Sequence, residues 1–175
     1  QPFITKTVKT IKLPDPKDLC KHLAEAMRPQ VTRDAVLVGI HTGGVWVAEC
    51  LHGLLGLATP VGSVDTGYHR DDHRLGGSLK AGGRPSHLPF DVEGAHVVIV
   101  DDVLYTGRTI RAAMNELFDY GRPARVDLAV LVDRGGRELP VAASWCPHVM
   151  KLPASQMLVL EKAPDGTLGF SLSEK

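Results

Sequence analysis

The sequence predicts an α/β fold, a single domain built on a mostly parallel sheet flanked by helices. Three observations predict it. Short continuous apolar runs, among them Ala35-Val36-Leu37-Val38-Gly39-Ile40 and His96-Val97-Val98-Ile99-Val100, have the length and β-branched content of strands buried on both faces. Stretches of helical periodicity lie between them, and strands alternating with helices imply crossovers and parallel pairing. At 175 residues the chain has the size of one domain, able to bury roughly 70% of the surface its unfolded form exposes.

Each element has its own reason. Residues 1–12 hold Lys6, Lys9 and Lys12 without an acid and are read as a basic extension, a solvated or disordered terminus in preference to an arm for an anionic partner. The domain runs from 13 to 175. Asp15 suits an N-cap and Pro16 the first helical position; Leu19, Leu23 and Met27 share one face, and Pro29 stops the helix. The strand over 35–40 ends at His41-Thr42-Gly43-Gly44. Val45, Val47, Ala48, Leu51, Leu54 and Leu55 give a second helix over 45–55, and 60–65 reads as another strand. Gly67, Gly76, Gly77, Gly82, Gly83, Pro85 and Pro89 then crowd a stretch, 66–89, with almost no large apolar residue. So long a stretch without a core pattern is functional or disordered, so it is expected to be a flexible active-site loop, a candidate lid. Residues 96–100 form the strongest strand. An amphipathic helix from Thr109 to Tyr120 carries Ile110, Ala113, Met114, Leu117 and Phe118 and is closed by Gly121; a last buried strand spans 126–132.

Composition narrows the function classes. With 43% hydrophobic and 23% charged residues the chain is no disordered polyelectrolyte, and 20 basic against 20 acidic side chains give no global reason to expect nucleic acid. No apolar run approaches the ~20 residues that cross a bilayer, and the first residues lack a signal-peptide pattern. The expectation is a soluble, cytoplasmic protein with no membrane partner. Cys20, Cys50 and Cys146 form no C-x-x-C pair and are odd in number, so a reducing compartment fits and no chemistry is assigned to them. Cys50, in an apolar helical pattern, is expected to be buried packing.

The segment Val97 to Thr109 carries the chemistry. A buried strand runs into Asp101-Asp102, then Val103-Leu104-Tyr105, then a Thr106-Gly107-Arg108-Thr109 turn that opens a helix. Adjacent carboxylates do not serve a core, because burying an unpaired charge costs several kcal/mol, on the order of the desolvation penalty of an ion. They suit hydrogen bonds from neighbouring hydroxyls such as a ribose diol. The turn offers backbone N–H groups and threonine hydroxyls at a helix N-terminus, where a phosphate is stabilised. A diol site beside a phosphate site describes a ribose 5-phosphate. The chain contains neither G-x-x-x-x-G-K-[ST] nor G-x-G-x-x-G, which sets aside P-loop and dinucleotide-binding readings.

Val97 to Thr109 resembles the signature of the type I phosphoribosyltransferases, which bind 5-phosphoribosyl 1-diphosphate (PRPP). With Gly121-Arg122-Pro123 and the string Leu128 to Pro140, the likeness narrows to the branch of pyrimidine-operon attenuators that are also uracil phosphoribosyltransferases, and it covers roughly 13–160. The resemblance implies that Asp101 and Asp102 bind the ribose hydroxyls and that Thr106, Gly107, Arg108 and Thr109 hold the 5-phosphate. His41, Thr42, Gly43 and Gly44 would be the pyrophosphate loop, with glycines letting the backbone approach the anion. Arg70, Asp71 and Asp72 would belong to the loop that closes over PRPP, Arg70 with a catalytic part. Val132, Asp133 and Arg134 would lie beside the pyrimidine. Tyr105 stands where purine-specific relatives commonly have an acid, which agrees with a pyrimidine. Mg²⁺ would arrive mainly through PRPP, with no dedicated metal site in the chain. Uracil and PRPP would give UMP and diphosphate, pyrimidine-operon leader RNA would be a partner, and the chain would form a homodimer or homotetramer.

The likeness has departures. Better-known members tend to carry basic residues around the pyrophosphate loop, where this chain has His41 and Gly43. Two further readings compete with the enzyme, an RNA-binding attenuator and a PRPP or nucleotide sensor with little catalysis. His69, Asp71, Asp72 and His73 invite a metal reading, although a flexible loop preorganises ligands poorly. Trp46 and Trp145 read as packing residues, and Arg122, Arg125, Arg134 and Arg137 as a local basic face or ordinary solvated charges.

Overall fold

A computed structural model describes residues 11–67 and 84–175. Most of the basic extension and the centre of the expected loop, including Tyr68, His69, Arg70, Asp71, Asp72 and His73, lie outside the described residues. The elements run α1 (Pro16–Met27), β1 (Val36–Ile40), α2 (Gly43–Leu55), β2 (Gly62–Val64), β3 (His96–Leu104), α3 (Arg108–Phe118), β4 (Arg125–Asp133), β5 (His148–Val149), β6 (Gln156–Lys162) and β7 (Leu168–Glu174). β1 to β5 form one parallel sheet in the order β2-β1-β3-β4-β5, and β6 and β7 pair antiparallel as a separate hairpin. The α/β class is as expected.

The core follows from two-sided burial. All five residues of β1 are buried. Alternate side chains serve the two faces: Leu37, Val98, Val100, Ala129 and Leu131 join α1, α2 and the hairpin residues Leu158 and Leu160. Val36, Val38, Ile40, Val97, Ile99, Leu128 and Val130 pack on Ile110, Ala113 and Leu117 of α3. Each such Val, Leu or Ile side chain gains about 1.5–3 kcal/mol from full burial. Period-2 alternation thus places one helical layer on each side of the sheet.

Local signals explain the first helix. Asp15 accepts a hydrogen bond from Lys17 N–H at 3.1 Å, Pro16 is the first helical residue, and Leu19, Cys20, Leu23, Ala24 and Met27 are buried along one face. Elsewhere the structure moves the boundaries. β3 does not end at Val100 but continues through both acids to Leu104. α2 starts two residues early, at Gly43. Cys50 is half-buried where full burial was expected, while Trp145 is buried in the core as a packing residue. Trp46 packs against the same core, with the Lys162 ammonium 5.8 Å from its ring. Of the expected loop, residues 84–89 run along the sheet: Ser63 and His87 exchange both backbone hydrogen bonds, at 2.7 and 2.9 Å, and Ser86 Oγ donates to Glu116 Oε1 at 2.7 Å. Among the described residues no helix is long and apolar enough to cross a membrane.

Candidate active site

The strand order locates the site. From β1 the chain turns through α2 to β2 on one side, while β3 lies on the other side of β1, so the carboxyl ends of β1 and β3 flank the point where connections diverge. Parallel register pairs Gly39 with Val100 and Ile40 with Val64, and carried on past the strand ends it brings His41 level with Asp102 and Asp65. A cavity of about 920 Å³ opens there, lined by His41, Thr42 and Gly43, by Asp101, Asp102, Tyr105, Thr106, Arg108 and Thr109, by Arg134, and by residues of the hairpin.

The acids sit on a strand end held by the sheet. Asp101 is buried at 8% exposure and its Oδ1 accepts Asp102 N–H at 2.9 Å; Asp102, half-buried, accepts Val103 N–H at 2.8 Å. These bonds help to fix the orientation of both carboxylates at the strand end. Two helices start at their flanks. α2 begins after Thr42 and α3 after Gly107, and neither of these N-cap residues caps its helix with a side-chain hydrogen bond. Gly107 adopts φ 93°, a left-handed conformation that turns β3 into α3, while Thr106 Oγ1 accepts Arg108 N–H at 3.2 Å. Arg108 Nε donates to Glu138 Oε1 at 3.3 Å.

The glycines of the 41–44 turn have a reason the sequence did not disclose. A Cβ on Gly43 would overlap the Asp102 carboxylate, and one on Gly44 would stand 2.5 Å from the carbonyl oxygen of Val100. They let α2 press against β3, which sets the turn beside the acids.

The third part of the site follows β4. The Arg134 guanidinium lies 4.0 Å from the centroid of the Tyr105 ring, and Lys175 Nζ lies 5.4 Å from it. Arg134 is buried and donates to the carbonyls of Gln156 at 2.7 Å and Pro153 at 3.0 Å. Arg137 donates to Tyr105 O, Val141 O and Asp133, and Asp133 also accepts Gly135 N–H at 2.9 Å. Arg134 and Arg137 therefore turn inward and hold the 133–141 segment, in place of a basic outer face. Val132 is fully buried in the core, and neither it nor Asp133 is among the residues that line the cavity.

A family model for the phosphoribosyl transferase domain matches residues 10–148. The chain belongs to the phosphoribosyl transferase family. Within that family it is similar to proteins named bifunctional protein PyrR. The one from Pseudomonas putida is 46% identical over 154 residues, covering 86% of this chain and 89% of its own. The one from Pseudomonas aeruginosa strain LESB58 is 50% identical, covering 86% and 90%, and that from Nitrosococcus oceani is 46% identical, covering 89% and 88%. Among solved structures, a hypoxanthine phosphoribosyltransferase from Staphylococcus aureus superposes with a TM-score of 0.63 at 18% identity, covering 86% of this chain and 81% of that one. A purine phosphoribosyltransferase from Pyrococcus horikoshii gives 0.58 at 24% identity, covering 76% and 82%. At such identities the likeness concerns the fold alone.

This phosphoribosyltransferase site includes residues that sequence reasoning missed. Met157, Leu158, Val159 and Leu160 of β6, with Lys175, line the cavity, as do Thr66 and Glu138. Asp165-Gly166, a turn signal between two alternating stretches, was the available clue to the hairpin. Among the described residues no group of three or more His, Cys, Asp or Glu could hold a metal ion.

Proposed function

We propose that this PyrR-type phosphoribosyltransferase transfers the phosphoribosyl group of PRPP to uracil, giving UMP and diphosphate. The observation that carries the reading is the joining, in one cavity, of the Asp101-Asp102 pair with the starts of α2 and α3. The acids accept hydrogen bonds from the ribose 2- and 3-hydroxyls. Backbone N–H groups and hydroxyls of Thr106, Gly107, Arg108 and Thr109 bind the 5-phosphate, and His41, Thr42, Gly43 and Gly44 receive the diphosphate at the start of α2. Tyr105 and Arg134 of the cavity wall border the pyrimidine, and Val132 and Asp133 are assigned to it on the strength of the motif likeness. Arg70, Asp71 and Asp72 are assigned to PRPP on the strength of the motif likeness.

The chemistry is a substitution at the anomeric carbon. A uracil ring nitrogen forms the new bond to C1 and gives up its proton to solvent as the bond from C1 to the diphosphate oxygen breaks, through an oxocarbenium-like transition state, the electron pair of the broken bond leaving with the diphosphate. What the site supplies is alignment of the two reactants and stabilisation of the leaving anion. The carboxylates of Asp101 and Asp102 form a hard oxygen donor set that suits Mg²⁺, an ion that commonly keeps water and substrate phosphates as its other ligands. When bound, such an ion neutralises charge on the diphosphate. Regulation of pyrimidine genes through leader RNA and a homo-oligomeric state belong to the same reading.

The test is UMP formation from uracil, PRPP and Mg²⁺, with Asp101→Asn/Asp102→Asn beside the wild type. Turnover by the wild type and a loss of about 100-fold or more in the double variant are expected, the scale of losing preorganised electrostatic contacts. PRPP binding without any UMP would sink the enzyme reading in favour of a sensor. For regulation, leader RNA should bind more tightly than scrambled RNA at physiological salt.

A further inference from the structure

The end of the cavity proposed for diphosphate is built from His41, Thr42, Gly43 and Gly44, and three of these four have no ionisable side chain. Acids surround it: Asp65, Asp101 and Asp102. Backbone N–H groups at the start of α2 supply donors, but a diphosphate leaving group also calls for a full positive charge. A cation reaches this turn from 43 residues away. Arg84 Nη1 lies 2.7 Å from His41 Nδ1.

The position of Arg84 is set by the sheet edge. Its backbone N–H donates to Asp65 Oδ2 at 3.0 Å, and the other oxygen of Asp65 accepts Gly67 N–H at 2.9 Å. Three residues on, His87 is paired with Ser63 of β2, and His41 N–H donates to Val64 O of that strand at 2.9 Å. Asp65 and β2 thus hold both partners of the Arg84–His41 contact. A guanidinium only donates, so His41 Nδ1 is the acceptor and the imidazole is neutral, with its proton on Nε2. Burial and then the charge of Arg84 push the His41 pKa below its ordinary value, against the opposing pull of Asp65.

We propose that Arg84 is the cation of the diphosphate subsite, seated on the neutral imidazole of His41. One N–H of its fork goes to His41, and the rest of this exposed guanidinium is available to diphosphate oxygens. The pyrophosphate turn therefore does not lack a charge; it borrows one from across the sheet edge. This inference rests on the phosphoribosyltransferase reading of the cavity given above.

Calorimetric titration with PRPP, with diphosphate and with UMP, each in Mg²⁺, tests it on wild type, Arg84→Ala, Arg84→Lys and Arg84→Gln. UMP serves as the control because it fills the nucleotide part of the site and carries no diphosphate. Arg84→Ala is expected to weaken PRPP and diphosphate about 10- to 100-fold, the scale of one charge-assisted hydrogen bond, with UMP affinity within about twofold. Arg84→Lys should fall between the two, and Arg84→Gln, which keeps a donor for His41 without the charge, should be as weak as Arg84→Ala. Unchanged diphosphate affinity in Arg84→Ala, an equal loss for UMP, or full recovery in Arg84→Gln each overturns the proposal. A wild type that binds PRPP and diphosphate but makes no UMP refutes the uracil reaction while the titrations still decide Arg84; a wild type that binds neither refutes both.

Discussion

Single residues decide this site through contacts that their chemical type alone does not announce. Gly44 has no part in binding by its side chain, yet the space it leaves is occupied by the carbonyl of Val100, directly before the acids. Gly44→Ala is therefore expected to push α2 off β3. Overpacking of this kind costs about 1–3 kcal/mol, and displacement of reacting groups by around 1 Å costs about 100-fold in rate. The prediction is a fall of that order in kcat/KM for PRPP, measured beside the unfolding midpoint in urea. Near-wild-type turnover would show that the turn has room the structure does not show. Arg134 makes the same point from the opposite direction. Read as surface charge, it is 4% exposed, its head bound to two carbonyls of the chain leading into the hairpin and set over Tyr105. A positively charged residue in a strand-to-loop segment looks solvated until the partner carbonyls, some 20 residues later, are known.

Elements differ in how plainly the sequence shows them. β1, β3 and β4 were legible because both faces are buried, which writes a continuous apolar run into the chain. The far end of β3 was not, because there the strand carries the acids: their function replaces apolar residues while the ladder to β4 continues, Asp101 opposite Val130 and Leu104 opposite Asp133. The β6–β7 hairpin escaped notice since only Leu158 and Leu160 are buried in β6, too short an alternation to stand out. That hairpin closes the side of the cavity facing Tyr105 and Arg134. Leu160→Ala is expected to destabilise the protein by about 2–4 kcal/mol, as for other buried Leu truncations. Because β6 lines the base side, KM for uracil should rise several-fold with diphosphate affinity held, a split read by kinetics and titration together. Equal losses for both ligands would mean that the hairpin supports the whole sheet and does not shape the base end.

The molecule as a whole is polarised along its strands, with chemistry at the carboxyl ends and a structural polar cluster at the amino ends. Near the start of β3 and β4, Asp127, 8% exposed, accepts from Ser144 at 2.8 Å, from Arg125 at 2.8 Å, and pairs with His96 Nε2 at 2.7 Å. A serine, a histidine and an aspartate in contact resemble a nucleophilic triad in composition. Here, however, both Ser144 and His96 bind the carboxylate, at the end of the sheet away from the cavity, so the arrangement holds strands to the 143–145 segment. Burial pushes the Asp127 pKa up, and the bonds from His96, Ser144 and Arg125 outweigh it and hold the group below the usual carboxylate range. With the folded pKa below the unfolded one, the carboxylate contributes stability that is fully present above about pH 4–5 and is lost as pH falls through the lowered value. Asp127→Ala leaves its hydrogen-bond partners unmet and is expected to cost about 2–4 kcal/mol at neutral pH, with a difference from wild type that shrinks on acidification. At a temperature where both proteins are folded, kcat and the affinity for PRPP should be unchanged, because among the described residues no member of this cluster lines the cavity. Urea unfolding across pH 3–8 with steady-state kinetics at pH 7 checks both halves. A kcat that falls with stability intact would place Asp127 in the reaction and end the separation of the two ends of the sheet.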